Sequence, residues 1–388
     1  MNIIIGADLV PTRSNIDLFA SGDTQTLLGE ELNNILQNAD YRIFNLEVPL
    51  TDREKPIHKC GPNLIAPTKC VAGYKAMQVD LLTLANNHIL DQDQQGLERT
   101  CSVLDDAGIA YTGVGKTPEE AAKPYIFECD GKRICVYACA EHEFSIVTEH
   151  SAGANPIDLL ESPDHVAALK AQSDYVIVLY HGGKEHYRYP SPNLQKVCRK
   201  LVEKGADLVV CQHSHCIGCE EKYKGGTIVY GQGNFLFDDS ESEFWQTSLL
   251  VQIVDGFEVS YIPLKKNGKG VRCADKAEAA IILKEFRQRS AEIKDDVVLR
   301  EKYTQFAESY LESYLLVFSG FGKKLLYRVF NKLFGHRFAK RFVRRWYRKE
   351  TLLAIQNYVD CEAHKELLIK GLEKRIFEQK NKYADVSV

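Results

Sequence analysis

The chain has 388 residues, 26% charged and 45% hydrophobic, and its 49 basic against 53 acidic side chains leave a net charge of −4. That balance argues against a nucleic-acid binder with a basic face over the whole surface, and the hydrophobic fraction excludes a disordered chain. The length fits one large domain or two smaller ones with a substantial core.

The start, Met1-Asn2-Ile3-Ile4-Ile5-Gly6-Ala7-Asp8, has neither a basic n-region nor a signal-length apolar stretch, and no run of about 18 apolar residues follows. The expectation is a cytoplasmic protein. The 12 cysteines are irregularly spaced and often sit in apolar runs such as Ile134-Cys135-Val136-Tyr137-Ala138-Cys139, which reads as reduced core thiols.

In chain order, short β-like runs appear at Ile3 to Ala7, Tyr41 to Leu46, Leu81 to Ala85, Ile109 to Thr112, Tyr175 to Tyr180, Leu208 to Cys211 and Ile228 to Tyr230. Between them lie helical patterns such as Gln92 to Ala107 and Asn193 to Lys204, stopped by Gly108 and Gly205. The alternation predicts an α/β fold with buried strands. Asp130-Gly131 and Asp255-Gly256 predict two antiparallel hairpins, so the sheets are mixed. Near Lys265 to Gly270 the composition shifts and the pattern turns helical, which places one domain at 1–265 and a helical, basic and aromatic region at 275–388.

In such sheets ligand-facing side chains sit just past the C-terminal ends of strands. Here the runs end in Asp8, in Asn45-Leu46-Glu47, in Asn86-Asn87-His88 with Asp91 following, in His181 and in His213-Ser214-His215. Each alone has a plain explanation: a cap, a turn or a satisfied core histidine. Together they are polar groups at buried strand termini that a metal centre would partner at once. Carboxylate and amide oxygens with imidazole nitrogens suit two divalent ions of the manganese, iron or zinc kind, which stabilise the attacking and leaving oxygens of an in-line displacement at phosphorus. Glu47 is the candidate to bridge them.

Six ordered motifs over about residues 2 to 265 carry a resemblance. They are Gly6-Ala7-Asp8, Asn45-Leu46-Glu47-Val48-Pro49-Leu50-Thr51, Ala85-Asn86-Asn87-His88-Ile89-Leu90-Asp91, His181-Gly182-Gly183-Lys184-Glu185, the stretch from Gly205 through Gln212-His213-Ser214-His215, and Tyr230-Gly231-Gln232-Gly233-Asn234-Phe235. The chain resembles the CapA (PgsA) capsule and poly-γ-glutamate synthesis family, within the calcineurin-like metallophosphoesterases. The resemblance implies a four-layer α/β/β/α sandwich, here with a C-terminal helical extension, and a dinuclear, metal-dependent hydrolase of phosphoesterase type. Asp8 and His215 would bind the first metal, Glu47 would bridge, and Asn87, His181 and His213 would bind the second. His88 would protonate the leaving group, with Asp91 orienting its ring. The substrate would be a small molecule or a polymer. Two other readings stay open: a non-catalytic assembly or regulatory component of a capsule or polyglutamate synthesis complex, and an amide hydrolase on a glutamyl polymer.

The chain departs from the superfamily pattern in two places. Asp8 is followed by Leu9 and Val10 where Asp-x-His is common, which leaves Asn15 as a replacement ligand to consider, and Gln212 stands where many members have Gly. Cys216-Ile217-Gly218-Cys219 has zinc or redox spacing but no second pair, so loop thiols are the expectation. Asn234 and Asp238 read as turn residues outside the first coordination sphere.

The net charge hides an asymmetry. Between Ser313 and Lys349 there are 11 basic residues and no acidic one, with Phe318, Phe321, Phe330, Phe334, Phe338, Phe342 and Trp346 among them, so the rest of the chain carries −15. The composition suits a helix on an anionic membrane surface, at the inner face for a cytoplasmic protein, or aromatics packed on protein with solvated cations. Nucleic acid is not expected.

Overall fold

The computed structural model describes residues 1–237, 240–320, 343 and 345–384. Runs rich in β-branched and other large apolar residues form its strands. They are β1 (Ile3–Leu9), β2 (Tyr41–Leu46), β3 (Leu81–Thr83), β4 (Ala110–Thr112), β5 (Val114–Gly115), β6 (Tyr125–Cys129), β7 (Lys132–Ala140) and β8 (Gly153–Ala154). Then follow β9 (Tyr175–His181), β10 (Leu208–Gln212), β11 (Glu220–Tyr223), β12 (Gly226–Tyr230), β13 (Asn234–Leu236), β14 (Thr247–Val254), β15 (Glu258–Asn267) and β16 (Gly270–Cys273).

An eight-stranded sheet has the order β16-β15-β14-β1-β2-β3-β4, with β13 also pairing with β1, and a six-stranded sheet has the order β11-β12-β10-β9-β7-β6. The strands β1 to β4 run parallel, as do β7, β9, β10 and β12. The two predicted hairpins are present: Asp130 and Gly131, both with positive φ, join β6 to β7, and Asp255 to Phe257 join β14 to β15.

Alternation along the strands builds the layers. Ile3, Ile5, Ile43 and Val251 of one sheet share a buried cluster with Val136, Ile177, Leu179 and Val210 of the other. On the opposite face of the first sheet, Ile4, Phe44 and Leu82 join Leu28 and Leu32 of the helix Thr24–Gln37 and Leu97 of the helix Asp93–Ala107. On the outer face of the second, Val176, Val178 and Val209 join Val166 of the helix Glu161–Lys170 and Leu201 of the helix Pro192–Glu203. These layers are the expected α/β/β/α sandwich. Each such side chain contributes roughly 1.5–3 kcal/mol by leaving water.

The packed body extends past the composition shift. Strands continue through Cys273, and the helix Lys276–Glu292, opened by a capping box of Asp275 and Glu278, lays Ile282 and Phe286 against Ile217 and Leu249. The chain divides into compact units at Met1–Glu301 and Lys302–Val388, so the boundary expected at 265–275 falls inside the first. The shift marks a change from sheet to helix within one body, because the added helix still buries an apolar face.

The second unit contains the helices Lys349–Asp360 and Glu362–Ala384 and a small cluster of Leu315, Leu316 and Val343. The amphipathic segment expected over 313–349 lies mostly outside the described residues. Among the described residues, no helix is long and apolar enough to cross a membrane.

Gly6 shows how tightly the sheet is built beside Asp8. A Cβ there would stand 2.1 Å from the Phe44 ring, which packs on Phe235 at 4.7 Å between centroids. Gly6→Ala is predicted to lower stability by about 1–3 kcal/mol through overpacking, read as a drop in urea midpoint at unchanged slope. An unchanged midpoint would refute that packing account.

Candidate metal centre

The parallel strands of both sheets deliver their C-terminal residues to one place. Asp8, near the end of β1, is fully buried; its Oδ1 accepts from Asn45 Nδ2 at 2.8 Å and its Oδ2 from the His213 backbone N–H at 3.4 Å. Glu47 follows β2 and is 0% exposed; its Oε1 faces His181 Nε2 at 3.2 Å, and no backbone N–H or neutral donor among the described residues bonds either oxygen. Burying a carboxylate costs several kcal/mol unless positive charge faces it, which a protonated imidazole or a bound cation supplies. Glu47, His213 and His215 offer donor atoms that all lie within 4.8 Å of one another.

His181, which ends β9, stands at the middle. Its Nε2 is 3.0 Å from Asn87 Oδ1, 3.2 Å from Glu47 Oε1 and 3.2 Å from His213 Nδ1. Two donors that each stand about 2.0–2.2 Å from one ion are about 3 Å apart, so this spacing fits a shared divalent cation. On the other side His215 Nδ1 is 3.5 Å from Asp8 Oδ2. His213 and His215 have φ of 78° and 52°, left-handed values that cost a non-glycine residue about 1–2 kcal/mol each. Strain of this sort is retained where the position of a side chain matters.

Burial opposes charge throughout the cluster. It raises the Asp8 carboxyl, but the His215 hydrogen bond and the charge of His181 outweigh it and hold the group below its ordinary value. Burial likewise works against charged His181 and His215, but Glu47 and Asp8 bring both up, His215 to about 9. His213, buried beside those two rings, is pushed well below its ordinary value. In the metal-free protein the neighbouring carboxylates therefore favour the charged form of His181 and His215, while burial beside those rings favours neutral His213.

His88 sits beside this cluster with a different set of contacts. Its Nδ1 is 2.6 Å from Asp91 Oδ2, and Asp91 also accepts the Leu64 backbone N–H at 2.6 Å and pairs through Oδ1 with the buried Lys59 ammonium. Asp91 is therefore neutralised in place, and the ring of His88 is held by its Nδ1 with Nε2 left for a proton transfer.

The structure thus brings Asp8, Glu47, Asn87, His181, His213 and His215 together, with His88 and Asp91 adjoining them. Asn15 is excluded as a replacement ligand: its amide caps Thr12 and donates to the Lys269 carbonyl. Gln212 tightens the fold, donating to the Gly6 carbonyl at 3.1 Å and so tying β10 to β1 across the two sheets. Cys216 and Cys219 are free and fully buried, and burial pushes the Cys216 thiol up to about 11.

Sequence reasoning missed four contributors. Asn45 was part of a motif without a role. Asn234 was read as a turn residue, but β13 pairs it with Asp8 and its Oδ1 is 2.8 Å from His215 Nδ1. Asp238 lies outside the described residues. Glu141 and Glu143 follow β7, whose hairpin signal masked the fact that it is also a central parallel strand with its C-terminal end at the site.

The charge pattern sets a pH dependence. With a folded value of about 9 against an ordinary 6.5, protonated His215 contributes stability that is complete below pH 6.5 and lost as pH rises through 9. The thermal midpoint of the metal-free protein is therefore expected to fall across that window. Divalent-ion binding at pH 7 must expel a proton from this ring, visible as a dependence of calorimetric heat on buffer ionisation enthalpy. Buffer-independent heats would contradict the assignment.

Comparison with known proteins agrees with the motifs. The family described as bacterial capsule synthesis protein PGA_cap matches residues 3–239. The capsule biosynthesis protein CapA of Bacillus anthracis is 31% identical over 212 residues, 52% of each chain. A Mycobacterium tuberculosis protein named "Probable polyglutamine synthesis accessory protein" is 28% identical over 225 residues, 53% of this chain and 58% of that one. The chain thus spans little more than half the length of these relatives. Among solved structures, the 5'-nucleotidase of Candida albicans aligns over 76% of this chain and 58% of its own at a TM-score of 0.41 and 15% identity. On the match across most of the sandwich, the chain belongs to the bacterial capsule synthesis protein (PGA_cap) family.

Proposed function

We propose that the chain is a metal-dependent hydrolase acting on a phosphate ester, with two divalent ions of the manganese, iron or zinc kind. The observation that carries this reading is the Glu47 carboxylate, fully buried, facing imidazoles and without a backbone or neutral donor among the described residues. Bound divalent ions would supply Lewis-acid polarisation of the phosphoryl group and of the attacking water.

The chain's own residues do the rest. Asn87, His181 and His213 would hold one ion and Asp8 and His215 the other, with the Glu47 carboxylate beside His181 and grouped with the donor atoms of His213 and His215. Asp91 fixes His88 through Nδ1. Nε2, when it carries the second proton of the ring, passes it to the departing oxygen and leaves the neutral imidazole on Asp91, and Lys59 keeps Asp91 from standing as an uncompensated buried charge.

A second reading is a non-catalytic component of a capsule or polyglutamate synthesis assembly. Two observations favour it: the accessory-protein name of the mycobacterial relative, and the absence of a histidine after Asp8. The His88–Asp91 pair favours the enzyme, since a structural metal has no use for a held proton donor. Hydrolysis of a glutamyl amide would use the same groups. Any membrane contact is assigned to residues 313–349.

The test is turnover of an aryl phosphate monoester and diester together with metal content. His88→Ala is expected to keep its metal and lose about 10²–10⁴-fold in rate, whereas Glu47→Ala loses metal and rate together. Metal-loaded wild type without turnover on either ester would favour the second reading, and wild-type rates in both variants would exclude this site.

A further inference from the structure

The loop that follows β7 places two carboxylates against two of the residues assigned above to the second metal. Glu143 Oε2 accepts from Asn87 Nδ2 at 2.8 Å, which turns Asn87 Oδ1 toward His181 Nε2 at 3.0 Å. Glu141 Oε1 is 3.6 Å from His213 Nε2, while its Oε2 accepts the Gly183 backbone N–H at 3.1 Å. His213 therefore presents Nδ1 to His181 and Nε2 to Glu141. Glu141, Glu143 and His213 also place their donor atoms within 4.8 Å of one another.

We propose that Glu141 and Glu143 are positioning residues for the second metal, one setting the His213 ring and the other the Asn87 amide. The inference rests on the metal-centre reading and deepens it.

The physical argument concerns which end of each ligand faces the ion. A carboxamide binds a hard cation through oxygen, and its two ends have nearly the same shape, so packing alone does not choose between them. An acceptor behind the nitrogen does, and Glu143 is that acceptor. An imidazole that coordinates through Nδ1 carries its proton on Nε2, and a carboxylate opposite that proton fixes tautomer and ring plane and makes the ligand more basic. Glu141 is held in place for this by the Gly183 N–H, two residues beyond His181, so one loop links the three ligands. The two glutamates alternate with His142, so both contacts come from one short stretch of chain at a strand end.

The alternative, that the two glutamates form a cation site of their own, fits less well. Glu143 already accepts from Asn87 and Glu141 from Gly183, whereas both oxygens of Glu47 are buried without a backbone or neutral donor among the described residues.

Calorimetric manganese titrations and visible spectra of cobalt-loaded protein, for the wild type and for Glu141→Leu, Glu143→Leu and Glu143→Gln, test the proposal. Each leucine variant is expected to bind one of two ions about 10–100-fold more weakly, with a changed cobalt spectrum. Glu143→Gln keeps an acceptor and is expected to stay within about threefold of the wild type. Metal-free thermal midpoints report folding, and because Glu143 is exposed its variants should match the wild type there. Wild type binding two ions with unchanged affinity in both leucine variants overturns this inference alone. Wild type binding no ion overturns it together with the metal-centre reading.

Discussion

The arrangement at the sheet ends depends on the charge of two carboxylates that water does not reach. Asp8 stands near the end of β1 and Glu47 just past the end of its parallel neighbour β2, both fully buried. Asp8 has an amide, a backbone N–H and a histidine to answer it, whereas Glu47 faces the imidazole of His181 and has no backbone or amide donor among the described residues. Leaving such a group in place is unfavourable by more than one packed apolar side chain returns. The surrounding sandwich holds the cluster by close fits: Gln212 and Gln232 donate to carbonyls of β1, and no side chain larger than hydrogen fits at Gly6.

Two buried carboxylates at one site meet different fates, and the contrast carries the chemical reading. Asp91 is answered by Lys59, by the Leu64 N–H and by His88, so it needs no ion and serves to hold a ring. Glu47 is answered by none of these and has imidazoles around it. In the proposed reading identical functional groups take on separate tasks through environment, one as a ligand and one as an orienter of a proton donor.

Much of this was legible in the sequence because strand ends in parallel sheets are where ligand-facing residues collect, and five runs ended in metal-capable side chains. The hairpin at Asp130-Gly131 and the helix stop at Gly108 were readable for the same kind of reason: their backbones need positive φ. What escaped depends on pairings between distant segments. Asn234 reaches His215 only because β13 returns beside β1, more than 220 residues after Asp8. Glu141 and Glu143 follow a strand whose local signal is its antiparallel partner β6, while its parallel neighbour β9 lies some 40 residues on. The boundary was misplaced because the helix Lys276–Glu292 has a helical composition but buries its apolar face on the sandwich.

The most direct measurement of the central claim, that buried Glu47 is a cation ligand, is elemental analysis after equilibrium dialysis against manganese, zinc or iron(II). The account predicts two ions per wild-type chain and a loss of bound ion in Glu47→Leu. A folded wild-type chain that retains no divalent ion would contradict it.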